Sequence, residues 1–246
     1  MNWKFDERRN RLAFALDVPS TKEAIDEKLL PVLGKTGYVK VNSVFFGPAR
    51  DYAIKTIRDA GSVPMVDIKA HDIPTSTARN VIEVWRCGAG VVTIHASATS
   101  EAMKAVMKEV KDVAGDERPI VLAITVLTSI NQVVLNEELR IPGSNLRQVL
   151  HLANLADESG VDGVVCSPQE TNYVRQVFGE DFIIFNPGIR FGGEQERDQK
   201  RVGTPRGAIA DGADVLVMGS DLLKNPVNNI PRALEEIRLG LLDRQG

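Results

Sequence analysis

Residues 63–95 read VPMVDIKAHDIPTSTARNVIEVWRCGAGVVTIH and contain one complete unit of the fold. VPMVDIK (63–69) and VVTIH (91–95) are short runs rich in Val, Ile and Met. Such runs suit strands buried on both faces of a parallel sheet. Between them, PTSTARNVIEVWRCG places Ile82 and Trp85 at helical spacing, and Gly88 supplies a C-terminal stop. Strand, helix and strand in this order predict a βαβ unit.

The same unit repeats in both directions. LAFALD (12–17) and YVKVN (38–42) precede it, and IVLAITV (120–126), DGVVCS (162–167), DFIIFNPGI (181–189) and DVLVMG (214–219) follow. Helical patterns separate them. TKEAIDEKLLPVL follows Ser20, an expected N-cap, with Glu23 three residues later as in a capping box. SEAMKAVMKEVKDV carries Met103, Val106, Met107 and Val110 on one face, a core stripe. SNLRQVLHLANLADESG stops at Gly160, with His151 expected on the helix surface. From Asp17 to Met218 the strand ends recur about every 29 residues, and one βαβ repeat needs roughly 30. Eight such units without a linker or composition break predict an α/β fold: a single (β/α)8 barrel over residues 1–246, with residues 1–10 as a short N-terminal extension. A doubly wound open sheet is the alternative. The chain lacks G-x-G-x-x-G after its first strand and lacks a Walker A motif, which weighs against it.

Composition narrows the function classes. Of 246 residues, 43% are hydrophobic and 26% charged, which excludes disorder as the main reading. The formal net charge of −3 gives no bias toward nucleic acid or a membrane surface. The longest apolar stretch, near Ile120–Leu127, is far below the ~20 residues of a membrane helix. The start, MNWKFDERRN, is too charged for a secretory signal, so a cytoplasmic location is expected. Cys87 and Cys166 imply no disulfide framework and are both expected to be buried thiols. His71, His95 and His151 lie far apart in sequence, without metal-ligand spacing, and no metal is expected.

In a barrel, alternate strand residues point inward and chemistry collects at the carboxyl ends. Those ends carry a pattern. Strand one ends in Asp17. Strand two carries Lys40 and Asn42, two apart and on one face, and strand three carries Asp67 and Lys69 with the same spacing. Strand four ends in His95. Thr125, Thr128 and Ser129 follow one another at strand five, Asn186 and Arg190 at strand seven, and Gly219 and Ser220 at strand eight. Buried charges are costly unless paired. One pair is readily structural. Asp17, Lys40, Asp67 and Lys69 at the same end of three consecutive strands point instead to an active-site charge cluster. Asp72 follows three residues after Lys69, just before Pro74, where capping or turn formation would also explain it.

The run D-x-K-x-x-D-I-P (Asp67, Lys69, Asp72, Ile73, Pro74) resembles the signature of the orotidine 5′-phosphate decarboxylase family. FALDVPS, VKVN, IHAS, AITVLTS, GVVCSPQE and PGIRFGGEQERDQKRVGTP resemble further family segments in the family's order, from about residue 11 to 225. The resemblance implies a homodimeric barrel, with active sites shared between subunits, that converts orotidine 5′-phosphate to UMP and CO2 without metal or organic cofactor. It also implies roles. Lys69 is the proton donor to C6 of the pyrimidine, and Asp67 lies next to the departing CO2. Asp72 comes from the partner subunit. Lys40 bonds the ribose and holds the aspartates, and Asp17 contacts a ribose hydroxyl. Ser129 reads the pyrimidine edge beside Thr128. Gln199 and Arg190 hold the phosphate.

The chain departs from the family pattern at strand eight. Gly219-Ser220 stands where the family has Gly-Arg, and Asp221 follows, a repelling charge for phosphate if it points inward. Either Arg190 carries the phosphate alone, with Ser220 and local backbone N–H groups, or Arg201 or Lys224 substitutes. Asn42 and the tail ASATS after strand four also differ from the family's usual glycines. Two other functions fit the same fold: a metal-dependent phosphosugar decarboxylase or aldolase using Asp67 with other acids, and a non-catalytic phosphate-ligand-binding barrel. Lys69 and the VLTS and DQ segments favour the cofactor-independent decarboxylase over the first. Retention of all four charged residues of strands two and three and their loop favours it over the second.

Overall fold

The computed structural model describes residues 8–192 and 201–245. Residues 1–7 of the expected N-terminal extension, and residues 193–200 after strand seven, Gln199 among them, lie outside the described residues. Eight strands, β1 (Leu12–Ala15), β2 (Tyr38–Val41), β3 (Val63–Ala70), β4 (Val91–His95), β5 (Ile120–Ile124), β6 (Gly163–Val165), β7 (Ile183–Asn186) and β8 (Val215–Met218), pair in sequence order. Every pairing is parallel, and β8 closes on β1 with Phe14 opposite Met218. The open-sheet alternative is thereby excluded.

Among the described residues there are ten α-helices: α1 (Lys22–Leu29), α2 (Ser43–Phe46), α3 (Arg50–Asp59), α4 (Pro74–Arg86), α5 (Thr99–Ala114), α6 (Asn145–Glu158), α7 (Thr171–Phe178), α8 (Pro205–Ala210), α9 (Ser220–Lys224) and α10 (Pro226–Gln245). Their apolar stripes cover the outer strand face. Met103, Val106 and Val110 of α5 are fully buried, and Met107 packs at the margin. His151 is exposed on α6, as expected. α4 ends as its sequence predicts, with Gly88 at φ +103°, a conformation open to glycine at little cost. The N-cap of α1 is one residue later than expected: Thr21, not Ser20, accepts the N–H of Ala24. Ser20 instead donates to the Val44 carbonyl and accepts from Ala49 N–H, tying this loop to the next unit.

The core has two layers, and strand parity decides which residue enters which. Leu12, Phe14, Val39, Val41, Val66, Val92 and Ile94 face the helices. Ala13, Ala15, Tyr38, Met65, Val91, Ile120, Leu122, Phe185, Val215 and Val217 fill the barrel interior, where Tyr38 meets Phe185 edge-on with ring centroids 5.5 Å apart. Gly163 is required by close approach: a Cβ there would lie 2.0 Å from the Ile183 carbonyl oxygen. At the amino ends of the strands, Arg118 grips Asp162 with two bonds of 2.7 and 2.6 Å, and Arg175 bonds Asp214 at 2.7 Å. Backbone N–H groups of Val121 and Ile184 complete those carboxylates, so both are closed structural pairs. The same parity points Lys40, Asp67, Thr93 and His95 inward above the apolar plug, at the opposite end.

Cys166 is buried, and desolvation pushes its thiol up to about 12. Cys87 is only half-buried, contrary to expectation: it sits at the C-cap of α4 and packs against the edge of the core.

Candidate active site

β1, β2 and β3 deliver a continuous chain of charge. Lys40 Nζ lies 3.0 Å from Asp17 Oδ1 and 3.8 Å from Asp67 Oδ2. Lys69 Nζ lies 2.5 Å from the same Asp67 oxygen. The inner members are enclosed: the Lys40 and Asp67 side chains are 11% and 10% exposed. The outer members, Asp17 and Lys69, are 51% and 36% exposed. Unlike the closed pairs at the other end, this array opens onto solvent and leaves two ammonium groups able to donate further bonds.

Strand alternation alone does not produce the Lys69–Asp67 pair. β3 slips against β4: Val66 is opposite Val92, but Ala70 is opposite Ile94, so four steps on β3 match two on β4. Lys69 absorbs the difference with φ +50°. A left-handed non-glycine residue costs about 1–2 kcal/mol, and such strain collects at functional sites. The bulge folds the lysine back over Asp67. Three hydrogen bonds from two side chains hold this geometry. Asn42 Nδ2 donates to the Asp67 carbonyl at 2.5 Å. Thr93 Oγ1 donates to Asp67 Oδ1 at 2.8 Å and accepts the Lys69 N–H at 3.0 Å. Thr93 is fully buried on β4 and was missed as a site residue. The available sign was a hydroxyl at an inward position of the apolar run VVTIH.

His71 and His95, far apart in sequence, come together: their rings meet edge-on with centroids 5.5 Å apart beside Lys69. Burial, then the neighbouring His71 and Lys69, holds the His95 imidazole below its ordinary value and so neutral at pH 7. Among the described residues no cluster of three His, Cys, Asp or Glu could hold a metal ion.

The other expected residues fall as follows. Thr128 is buried and Ser129 exposed in the turn just past β5. Gly219 ends β8 beside the array, where a Cβ would lie 3.8 Å from Asp17 Oδ2; Ser220 opens α9. Asp72 is not joined to the array within one chain. It is exposed and makes no ion pair among the described residues; its carboxylate accepts the N–H of Ile73, a local turn bond, and its carbonyl accepts the Thr77 hydroxyl at 2.9 Å. It does not cap α4, which starts with Pro74 and has no side-chain cap. Arg190 donates to the Ile189 carbonyl at 2.8 Å, and its Nε is buried without a partner.

Arg201 does not substitute for the missing strand-eight cation. It is buried, paired with Glu170, and donates to the carbonyls of Val126 at 2.8 Å and Leu127 at 3.1 Å. Lys224 lies 3.6 Å from Asp221. Asp221 turns its carboxylate to the Phe191 N–H at 3.1 Å, on the segment that carries Arg190.

Fold and site together define a (β/α)8 barrel that carries interleaved lysines and aspartates at the carboxyl ends of its first three strands, the end where enzymes of this fold hold their active sites. The chain belongs to the orotidine 5′-phosphate decarboxylase / HUMPS family, whose model matches residues 10–236. It is 36% identical over 237 residues to the orotidine 5′-phosphate decarboxylase of Pelobacter propionicus, covering 96% of this chain and 98% of that one. It is 35% identical over 226 residues to that of Geobacillus kaustophilus, covering 90% and 92%. The crystal structure of orotidine 5′-phosphate decarboxylase from Lactobacillus acidophilus superposes with a TM-score of 0.78 at 29% identity, covering 93% of this chain and 99% of that chain.

Proposed function

We propose that this chain decarboxylates orotidine 5′-phosphate to UMP and CO2 without metal or organic cofactor, as a cytoplasmic homodimer. The observation that carries the reading is the Asp17–Lys40–Asp67–Lys69 array. In the reaction the C6–carboxylate bond breaks and its electron pair stays on C6, where delocalisation is poor. CO2 leaves, and Lys69 Nζ passes a proton to C6, later replaced from solvent. An ammonium fixed beside C6 stabilises the charge as it forms. Asp67 keeps that ammonium charged and placed, and its own charge beside the substrate carboxylate disfavours the ground state relative to the transition state.

The remaining roles are those that the family resemblance implies. Lys40 and Asp17 take the ribose hydroxyls. Thr128 and Ser129 take the pyrimidine edge. Arg190, Gln199, Gly219 and Ser220 take the phosphate, whose binding energy closes the site remotely from the reacting carbon. Asp72, exposed and without an ion pair among the described residues, completes the array of the partner subunit.

The test is loss of orotidine 5′-phosphate absorbance, with UMP identified as product, in the presence and absence of EDTA. Full turnover under EDTA is expected. Activity lost to EDTA and restored by Mg2+ would favour the phosphosugar-type reading. Ligand binding without turnover would favour the non-catalytic one.

A further inference from the structure

Beyond the charged residues, one neutral side chain touches both halves of the reacting pair. We infer that Thr93 is a positioning residue, whose single hydroxyl sets the Lys69 ammonium against the Asp67 carboxylate; the inference rests on the decarboxylase reading of this site. Thr93 stands at the third position of β4, points into the barrel, and is fully buried. Its hydroxyl has one proton to give and gives it to Asp67 Oδ1 at 2.8 Å. That leaves Asp67 Oδ2 turned toward the two ammonium groups, with Lys69 Nζ at 2.5 Å and Lys40 Nζ at 3.8 Å. Thr93 Oγ1 in turn accepts the Lys69 backbone N–H at 3.0 Å. This backbone N–H sits where β3 has slipped against β4 and where φ is +50°, so no regular ladder carbonyl stands opposite it. A buried N–H without a partner is strongly disfavoured. The hydroxyl therefore does two jobs at once: it orients the carboxylate by its donor side and secures the left-handed lysine by its acceptor side. An apolar β-branched residue would fill the same volume and do neither.

Thr93→Val and Thr93→Ser separate this role from packing. Thr93→Val keeps shape and removes the hydroxyl. Its kcat is expected to fall about 10- to 100-fold, the worth of one or two buried hydrogen bonds, while KM and UMP affinity stay within about threefold. Thr93→Ser keeps the hydroxyl and is expected to retain kcat within about threefold of the parent. A crystal structure of Thr93→Val is expected to show Lys69 Nζ displaced from Asp67 Oδ2, a result that holds whatever substrate the site takes. The inference is overturned if Thr93→Val keeps the parent kcat, if its losses in kcat and UMP affinity are equal, if a folded Thr93→Ser is as slow as Thr93→Val, or if the Lys69–Asp67 pair is unmoved. Failure of the parent protein to turn over orotidine 5′-phosphate would instead overturn the decarboxylase reading and leave the crystallographic comparison to decide Thr93.

Discussion

Lys69 and Asp67 are two residues apart on one strand, yet their charged groups are 2.5 Å apart because the backbone between β3 and β4 slips and Lys69 takes φ +50°. In a regular strand, side chains two apart stand side by side along the strand. Here the lysine folds back over the carboxylate that precedes it, and Lys40 approaches the same oxygen from the neighbouring strand. The site is therefore held by hydrogen bonds as well as by ionic attraction, which together offset the backbone strain at Lys69.

The exposure of Asp72 gives a prediction about assembly. Its carboxylate makes no ion pair among the described residues, and Ile73 beside it is also exposed. If Asp72 serves the partner's site, Lys69→Ala and Asp72→Asn are each inactive alone but complement each other. Mixing them under conditions of subunit exchange should restore about a quarter of parent activity, since half of the random dimers carry one intact site of two. No recovery despite exchange shown by mass spectrometry would place Asp72 outside a shared site.

The anion end predicts an unusual dependence on Arg190. Ser220 replaces a cation, Arg201 is committed to Glu170 and two carbonyls, and Asp221 faces the Phe191 N–H. Arg190→Ala should raise KM by about 10-fold or more, the worth of a charge-assisted bond, and lower kcat through the lost closing energy. Ser220→Arg should tighten UMP binding, measured by calorimetry. Unchanged KM and kcat for Arg190→Ala would show that the phosphate is held elsewhere.

His95 gives a pH dependence of stability. Its imidazole is held below its unfolded value of about 6.5 by burial, with His71 and Lys69 adding to the effect and Asp67 opposing it. Between the two values the unfolded chain binds more protons, so stability rises with pH there and this contribution is lost as pH falls below about 6.5. Urea unfolding at about pH 7.5 and about pH 5.5 should show a smaller acid loss for His95→Gln than for the parent. An equal loss in both would assign the acid sensitivity to other groups.

Much of this was legible in the sequence, for physical reasons. All eight strands were visible because strands buried on both faces must be apolar, and the inward direction of Lys40 and Asp67 followed from the period of two. Boundaries were less legible where two hydroxyls compete, as at Ser20 and Thr21, because either can cap and tertiary contacts choose. The β3 slip left no mark in VPMVDIKAH, since a left-handed lysine reads like any other lysine. His71 and His95 meet only because that bulge turns the strand end, and Arg201 reads as a free base until the fold buries it against Glu170. Thr93 hid within an apolar run, where a threonine is ordinary in a strand.

The central claim is that the Lys69 ammonium, held by Asp67 and Thr93, stabilises and then protonates the carbon that loses CO2. Its most direct test is the steady-state turnover of orotidine 5′-phosphate by Lys69→Ala, with folding verified by circular dichroism and UMP binding by calorimetry. A fall in kcat of at least ~1000-fold is predicted, as expected for removal of both charge stabilisation and proton donor, in a protein that is still folded. A folded Lys69→Ala that turns over orotidine 5′-phosphate near the parent rate would contradict the account.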